Sequence, residues 1–252
     1  MRDREESYLP DFDLGAVPAG SSRLKAYLAR PAGTGPWPAV LAIHEAFGMD
    51  DVLRRQADRL AAAGYLALGI DLFSDGGAAR CLVGTFKAMA TGKGKAFQDI
   101  EFARQWLAAH ADSNGKVAII GFCMGGGFAL VTSTRGFDAA AANYGAVPRN
   151  AEKALAGACP IVASYGKSDL MMAGMAGKLE KALTSAGVTH DVKVYPDAGH
   201  SFLNDEPNGP KALRPLLRIA HVGPQPEAAA DAWERIESFF AAHLASSPDA
   251  SA

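Results

Sequence analysis

The chain has 252 residues, and its 25 Lys plus Arg against 27 Asp plus Glu leave a formal net charge of −2, so the basic footprint of a nucleic-acid binder is missing. With 49% hydrophobic and 21% charged residues the composition is that of an ordinary globular chain, long enough to bury a core without metal or disulfide staples, which excludes disorder for most of it. The longest apolar runs, at 38–43 and 65–70, are far shorter than the roughly 20 residues that cross a bilayer, so no membrane segment is expected. The amino terminus has no apolar stretch after its basic start, which predicts a cytoplasmic protein without a signal peptide. Three widely spaced cysteines, Cys81, Cys123 and Cys159, indicate neither a disulfide framework nor a CxxC metal site.

In chain order, the first thirty-odd residues alternate polar and apolar around a turn at 18–22, which predicts an antiparallel hairpin with 23–30 as its second strand. Short apolar runs then recur at 39–43, 65–70, 117–120, 139–143, 161–165 and 192–195, separated by helix-length segments. That alternation predicts a mostly parallel sheet with crossover helices on both faces, in one domain over 1–252 with its core at about 23–245. Leu53, Ala57, Leu60 and Ala61 share one helix face that ends at Gly64, and Met172, Met175, Leu179 and Leu183 share another that ends at Gly187. The Pro- and Gly-rich stretch 206–226 reads as a surface excursion beside the candidate site rather than a domain linker. Trp233, Ile236, Phe240 and Leu244 form a last helical stripe, and the polar tail 246–252 is expected to fray.

Chemistry concentrates where the run 117–120 meets Gly121-Phe122-Cys123-Met124-Gly125 and a helix follows. A nucleophile elbow of the G-x-S-x-G type needs glycines on both sides because the turn is too tight for side chains, and Cys123 stands at the nucleophile position. The amino terminus of the following helix favours a thiolate there. Nucleophile, acid, histidine is the order that α/β-hydrolases use, and the chain supplies Asp169 just after the run 161–165 and His200 just after the run 192–195. Both therefore lie beyond strand carboxyl ends, where open α/β sheets bind ligands. Asp169 would fix the tautomer of His200, while capping of a helix starting near Leu170 is its plainer use; Asp191 and Asp197 are rival acids.

These residues resemble the dienelactone hydrolase family of α/β-hydrolases. The likeness runs from about Arg23 to the last helix and rests on His44-Glu45-Ala46-Phe47-Gly48, the cysteine elbow, and Ala198-Gly199-His200-Ser201-Phe202 with the Asp169 loop upstream. It implies an α/β-hydrolase fold and a Cys123–His200–Asp169 triad, with an oxyanion hole from the amides of Ala46 and Met124. It also implies Glu45 as the carboxylate that controls the thiol. The short βα stretch between Cys123 and Asp169 leaves no room for a large cap domain. The activity implied is carboxymethylenebutenolidase-like hydrolysis of a small lactone or activated ester through an acyl-enzyme, without metal or organic cofactor, in a monomer or small homo-oligomer. The alternative is a catalytically weak small-molecule binder or thiol redox sensor on the same fold.

One departure bears on the substrate. Dienelactone enzymes hold a substrate carboxylate with arginines, one of them four residues after the catalytic histidine, and here that position is Asn204. Arg80 is the candidate for the other, with Tyr144, Phe47 and Phe202 as further substrate contacts; Arg214 and Arg218 could supply charge from the excursion. With Asn204 the pocket carries fewer fixed positive charges, so neutral esters and lactones are expected to serve at least as well as carboxylated ones. His44-Glu45 opens like HExxH, but Gly48 replaces the second histidine, and the segment 90–94 lacks the first glycine and the Ser or Thr of a phosphate loop.

Overall fold

The computed structural model describes residues 11–207, 209 and 211–245, so the expected fraying of the tail lies outside the described residues. The elements run β1 (Phe12–Asp13), β2 (Lys25–Ala29), β3 (Trp37–Ile43), α1 (Asp51–Ala62), β4 (Leu66–Ile70), α2 (Gly77–Thr91), α3 (Lys95–Ala109), β5 (Ser113–Phe122), α4 (Met124–Thr132) and β6 (Ala139–Asn143). They continue with α5 (Ala151–Ala154), β7 (Ile161–Gly166), α6 (Met175–Ser185), β8 (His190–Tyr195), α7 (Arg214–Ile219) and α8 (Pro226–Leu244). The strands form one sheet in the order β1-β2-β4-β3-β5-β6-β7-β8. β1 pairs antiparallel with β2, and β2 antiparallel with β4, so the predicted hairpin is present with a two-residue first strand. From β4 to β8 every pairing is parallel.

The central strands are apolar on both sides because helices cover both faces. Alternate residues of β3 divide accordingly: Leu41 and Ile43 join the cluster containing Ile100, Phe128 and Leu179, while Val40 and Ala42 join the one containing Leu53, Leu60, Trp233 and Phe240. The stripes read on α1 and α8 are buried in that second cluster. On the other face the predicted helix at 170–187 begins later, at Met175, and Met172 packs on the core from the preceding turn. The delay has a local cause: the Asp169 carboxylate accepts from the amides of Met171 (3.0 Å) and Met172 (3.2 Å), which closes a turn where a helix was expected. Within the excursion, the described residues 211–226 contain α7 and a one-residue parallel bridge between His200 and Val222.

The parallel order has one consequence for function. The segments after β3, β5, β6, β7 and β8 all leave the same edge of the sheet, carrying Glu45, Cys123, Tyr144, Asp169 and His200 together. The tightest link among them is glycine-dependent: a Cβ on Gly125 would lie 2.2 Å from the Ile43 carbonyl oxygen, and one on Gly121 would lie 1.9 Å from the Gly125 carbonyl oxygen. Gly84, in α2, meets nothing within 4 Å and has ordinary helical backbone. Gly84→Ala should therefore raise stability by about 0.5–1 kcal/mol, while Gly125→Ala should lower it by more than that, read as opposite shifts of the midpoint in urea denaturation. Equal shifts for both would show that backbone contact at position 125 is not the constraint.

Candidate active site

Cys123 sits between β5 and α4 at φ 55° and ψ −114°, a backbone conformation that side-chain-bearing residues seldom adopt. The strain is held from both sides. The Cys123 amide donates to the Asn143 carbonyl (3.1 Å), and its own carbonyl accepts from Gly127 (3.2 Å) in the first turn of α4. The side chain is half-exposed at the carboxyl edge of the sheet. Cys159, in contrast, is pushed up to about 12 by burial, and burial also raises Cys81, whose sulfur contacts the Phe73 carbonyl.

His200 is buried, and its Nδ1 lies 2.6 Å from Asp169 Oδ2. Asp169 thus performs both of the uses open from sequence: Oδ1 closes the turn at 171–172, and Oδ2 holds the imidazole. The rival acids are spent elsewhere. Asp191 pairs with Arg235 at 2.7 Å, and Asp197 belongs to the wall of an outer cavity. Burial by itself would lower the His200 pKa, but the Asp169 carboxylate and the Cys123 sulfur outweigh it and raise it to about 10. His200 Nε2 is buried and makes no hydrogen bond among the described residues.

The loop after β3 is fastened by a residue whose role the sequence did not reveal. His44 is buried; its Nδ1 lies 2.5 Å from the Glu45 carbonyl oxygen, and its Nε2 accepts from the Leu72 amide at 3.0 Å, which fixes the proton on Nδ1. His44 is thus a brace, and among the described residues no cluster of His, Cys, Asp and Glu could hold a metal ion. Neither the Ala46 amide in this loop nor the Met124 amide donates a hydrogen bond among the described residues.

Glu45 is buried at 7% exposure and accepts from Ser201 Oγ (3.0 Å) and from Asn204 Nδ2 (3.3 Å). Asn204 in turn accepts from Gln56 Nε2 (3.0 Å), a polar residue set among the apolar positions of α1. An asparagine amide has nearly the same shape either way round, and the Glu45 carboxylate, which only accepts, decides that the NH2 end of Asn204 faces it, leaving Oδ1 to accept from Gln56. That polar residue within an otherwise apolar stripe is the signal by which the sequence could have betrayed Gln56.

Of the expected substrate contacts, the structure brings together some and not others. Tyr144, at φ 41°, packs with its ring tilted 58° against that of His200, centroids 5.0 Å apart, and burial together with the charges of Glu45 and Cys123 pushes its phenol well above the usual range. Its hydroxyl is buried without a hydrogen bond of ordinary geometry among the described residues. Phe47 is 38% exposed and lines a cleft of about 430 Å³ with Asp50, Arg55 and Arg214. Phe202, by contrast, is wholly buried between Tyr144 and Tyr195, so it backs the site instead of facing a substrate. Asn204 is 2% exposed and engaged with Glu45 and Gln56, and Arg80 stands on the exposed side of α2, bonded to none of these residues.

Comparison with known proteins shows which family the chain belongs to. The model of the dienelactone hydrolase family matches residues 24–244. Carboxymethylenebutenolidase from Rhodococcus opacus is 28% identical over 234 residues, covering 86% of this chain and 86% of that protein. Among solved structures, a dienelactone hydrolase-like promiscuous phosphotriesterase from metagenomic libraries superposes with a TM-score of 0.76 at 24% identity, covering 94% of this chain and 98% of that one. Dienelactone hydrolase from Anabaena variabilis gives 0.69 at 23% identity, covering 94% and 99%.

The raised His200 pKa has a sign that can be checked. A histidine whose folded pKa lies above its unfolded value adds stability that is fully present below about pH 6.5 and is lost as pH rises through about 10. Asp169→Asn removes the carboxylate partner at Nδ1, so His200 should titrate at lower pH in a histidine NMR experiment and the stability advantage should end earlier. A titration unmoved by Asp169→Asn would show that Asp169 does not hold the imidazolium.

Proposed function

Because the chain belongs to the dienelactone hydrolase family, we propose that this ester or lactone hydrolase works by acyl transfer to Cys123, with His200 as its proton carrier and Asp169 as the residue that orients His200. The observation that carries the reading is the pairing of His200 with Asp169 at 2.6 Å on the same sheet edge as a cysteine held at φ 55° in an elbow. In the forward step the Cys123 thiolate attacks the carbonyl carbon, and the carbonyl π electrons move onto oxygen, where the Ala46 and Met124 amides receive them. Collapse of that tetrahedral species expels the alkoxide, which takes the proton from His200 Nε2. A water then attacks the thioester, giving one proton to His200, and the carboxylic acid leaves as the thiolate is restored. The unbonded Nε2 atom is the one from which these transfers run.

Glu45 has a separate task in this scheme. A carboxylate beside the thiol opposes thiolate formation and accepts a hydrogen bond from S–H, which keeps resting Cys123 protonated until substrate displaces Glu45 and the thiol proton passes to His200 Nε2, giving the thiolate that attacks. Ser201 and the Gln56–Asn204 pair hold the carboxylate in place for that purpose. The substrate class we assign is a neutral lactone or activated ester, since Asn204 brings no fixed charge to the position where a carboxylate-binding arginine would stand.

Cys123→Ala should abolish hydrolysis of p-nitrophenyl acetate and its acyl-enzyme burst while leaving the thermal midpoint within a few degrees. Turnover that persists in Cys123→Ala but vanishes in a serine variant would sink the assignment. For the carboxylate, Glu45→Ala should speed iodoacetamide labelling of resting Cys123 at neutral pH while hydrolysis slows. Gln56→Leu should produce a smaller change in both rates, and no further change when added to Glu45→Ala. Slower labelling in Glu45→Ala would mean that Glu45 promotes the resting thiolate.

A further inference from the structure

Described residues of the excursion, from Lys211 to Gln225, line an open cavity of about 880 Å³ together with Pro207, Asp197 and Gly199, on the outer side of the His200 loop. Cys123, Asp169 and Glu45 are absent from its wall, which includes the backbone at Gly199 and Gly223. His200 separates the two regions: its amide donates to the His221 carbonyl (2.9 Å), and its carbonyl accepts from the Gly223 amide (2.9 Å). Gly199 has to be glycine for this strap to fit, since a Cβ there would lie 1.7 Å from the His221 carbonyl oxygen.

The wall of this cavity carries a surplus of positive charge. Several arginines of the chain are answered by carboxylates, as in Arg54 with Asp11, Arg55 with Asp205, Arg59 with Glu237, Arg104 with Glu101 and Arg235 with Asp191. Lys211, Arg214 and Arg218 meet on this wall with no ion-pair partner among the described residues, and Asp197 is the carboxylate that shares the wall, while Arg214 also lines the Phe47 cleft with Asp50, Asp51 and Glu206. Three like charges gathered on a concave wall repel one another, and an anion that enters offsets that repulsion. The remaining lining mixes the apolar Pro207, Pro215, Leu217, Val222 and Pro224 with His221 and Gln225. A space of this size holds a small organic molecule rather than a bare ion.

We propose that this cavity is a second, non-catalytic binding site for a small organic anion with an acidic head of charge −2 or more and an apolar body. The head would sit on Lys211, Arg214 and Arg218, and the body against the proline and aliphatic lining. Neither a carboxylic ester nor a lactone is needed for such a ligand, so the site is independent of the acyl-transfer reading above.

Calorimetric titration of the wild-type protein with phenyl phosphate tests it, with phthalate as a dicarboxylate of similar body and inorganic phosphate as the head alone. One equivalent of phenyl phosphate or phthalate should bind, more tightly than inorganic phosphate. A Lys211→Ala/Arg218→Ala variant should weaken that binding at least tenfold, and raising NaCl from 50 to 300 mM should weaken it in the wild type. The KM for p-nitrophenyl acetate should be unchanged at saturating phenyl phosphate, and prior alkylation of Cys123 should leave the binding intact. Absence of binding by any of the three probes up to about 10 mM would overturn the proposal, as would affinity that survives the double variant. So would a rise in KM or loss of binding on alkylation, since either would place the anion in the catalytic cleft.

Discussion

Much of this molecule depends on how closely α4 approaches the ends of β3 and β5. A Cβ on Gly121 would meet the Gly125 carbonyl, a Cβ on Gly125 would meet the Ile43 carbonyl, and a Cβ on Gly126 would lie 2.6 Å from the Asn143 carbonyl. Three glycines thus let one helix start press against three neighbouring strand ends, and the chain has no slack in which to place Cys123 other than φ 55°. The same approach sets the Met124 amide beside the Ala46 loop. A helix begun even one residue later would leave the thiol on a mobile turn and separate the Met124 amide from that loop. The strain at Cys123 is sustained by the hydrogen bonds to Asn143 and Gly127 that flank it.

The buried polar groups around this point divide into two kinds. Asp169, His44, Glu45, Asn204 and Gln56 have hydrogen-bond partners, and each bond fastens a loop that leaves the same sheet edge. His200 Nε2 and the Tyr144 hydroxyl are buried without such bonds among the described residues, and their rings pack at a tilt with centroids 5.0 Å apart. Leaving a polar atom unpaired away from water costs about 1–3 kcal/mol, so its survival needs a reason. Under the proposed chemistry the reason is that these atoms meet substrate oxygens or protons during turnover. The satisfied groups then serve to hold the unsatisfied ones still.

The sheet was legible because its strands are short, apolar and separated by helix-length segments, a pattern that survives any detail of packing. Cys123, Asp169 and His200 could be read for the same reason: each follows directly on a strand, and the local sequence carries the turn that displays it. What could not be read depends on contacts between remote segments. Gln56 reaches Asn204, and Ser201 reaches Glu45, across separations of 148 and 156 residues, and no periodicity encodes such pairs. Phe202 and Asn204 follow His200 so closely that they looked like substrate contacts, yet the strap from His221 to Gly223 turns the chain inward and buries both. The start of α6 was misplaced because a side-chain acceptor, Asp169, competes with helix geometry at 171–172.

These remote contacts also bear on what the site can select. An arginine after the histidine would carry a charge that attracts a carboxylated substrate over several ångströms, whatever its exact pose. An asparagine acts only at hydrogen-bond range, and here its carbonyl is given to Gln56 and its amide to Glu45. Position 204 is therefore built to orient a carboxylate of the protein itself, and it contributes no long-range attraction for one on the ligand. Under the proposed chemistry, discrimination at the mouth then falls to the partly exposed Phe47 and its cleft, which shares Arg214 with the outer cavity, while Lys211 and Arg218 line the outer cavity alone. Under both proposals together, anion binding and ester chemistry are divided between two cavities on either side of the loop carrying the histidine.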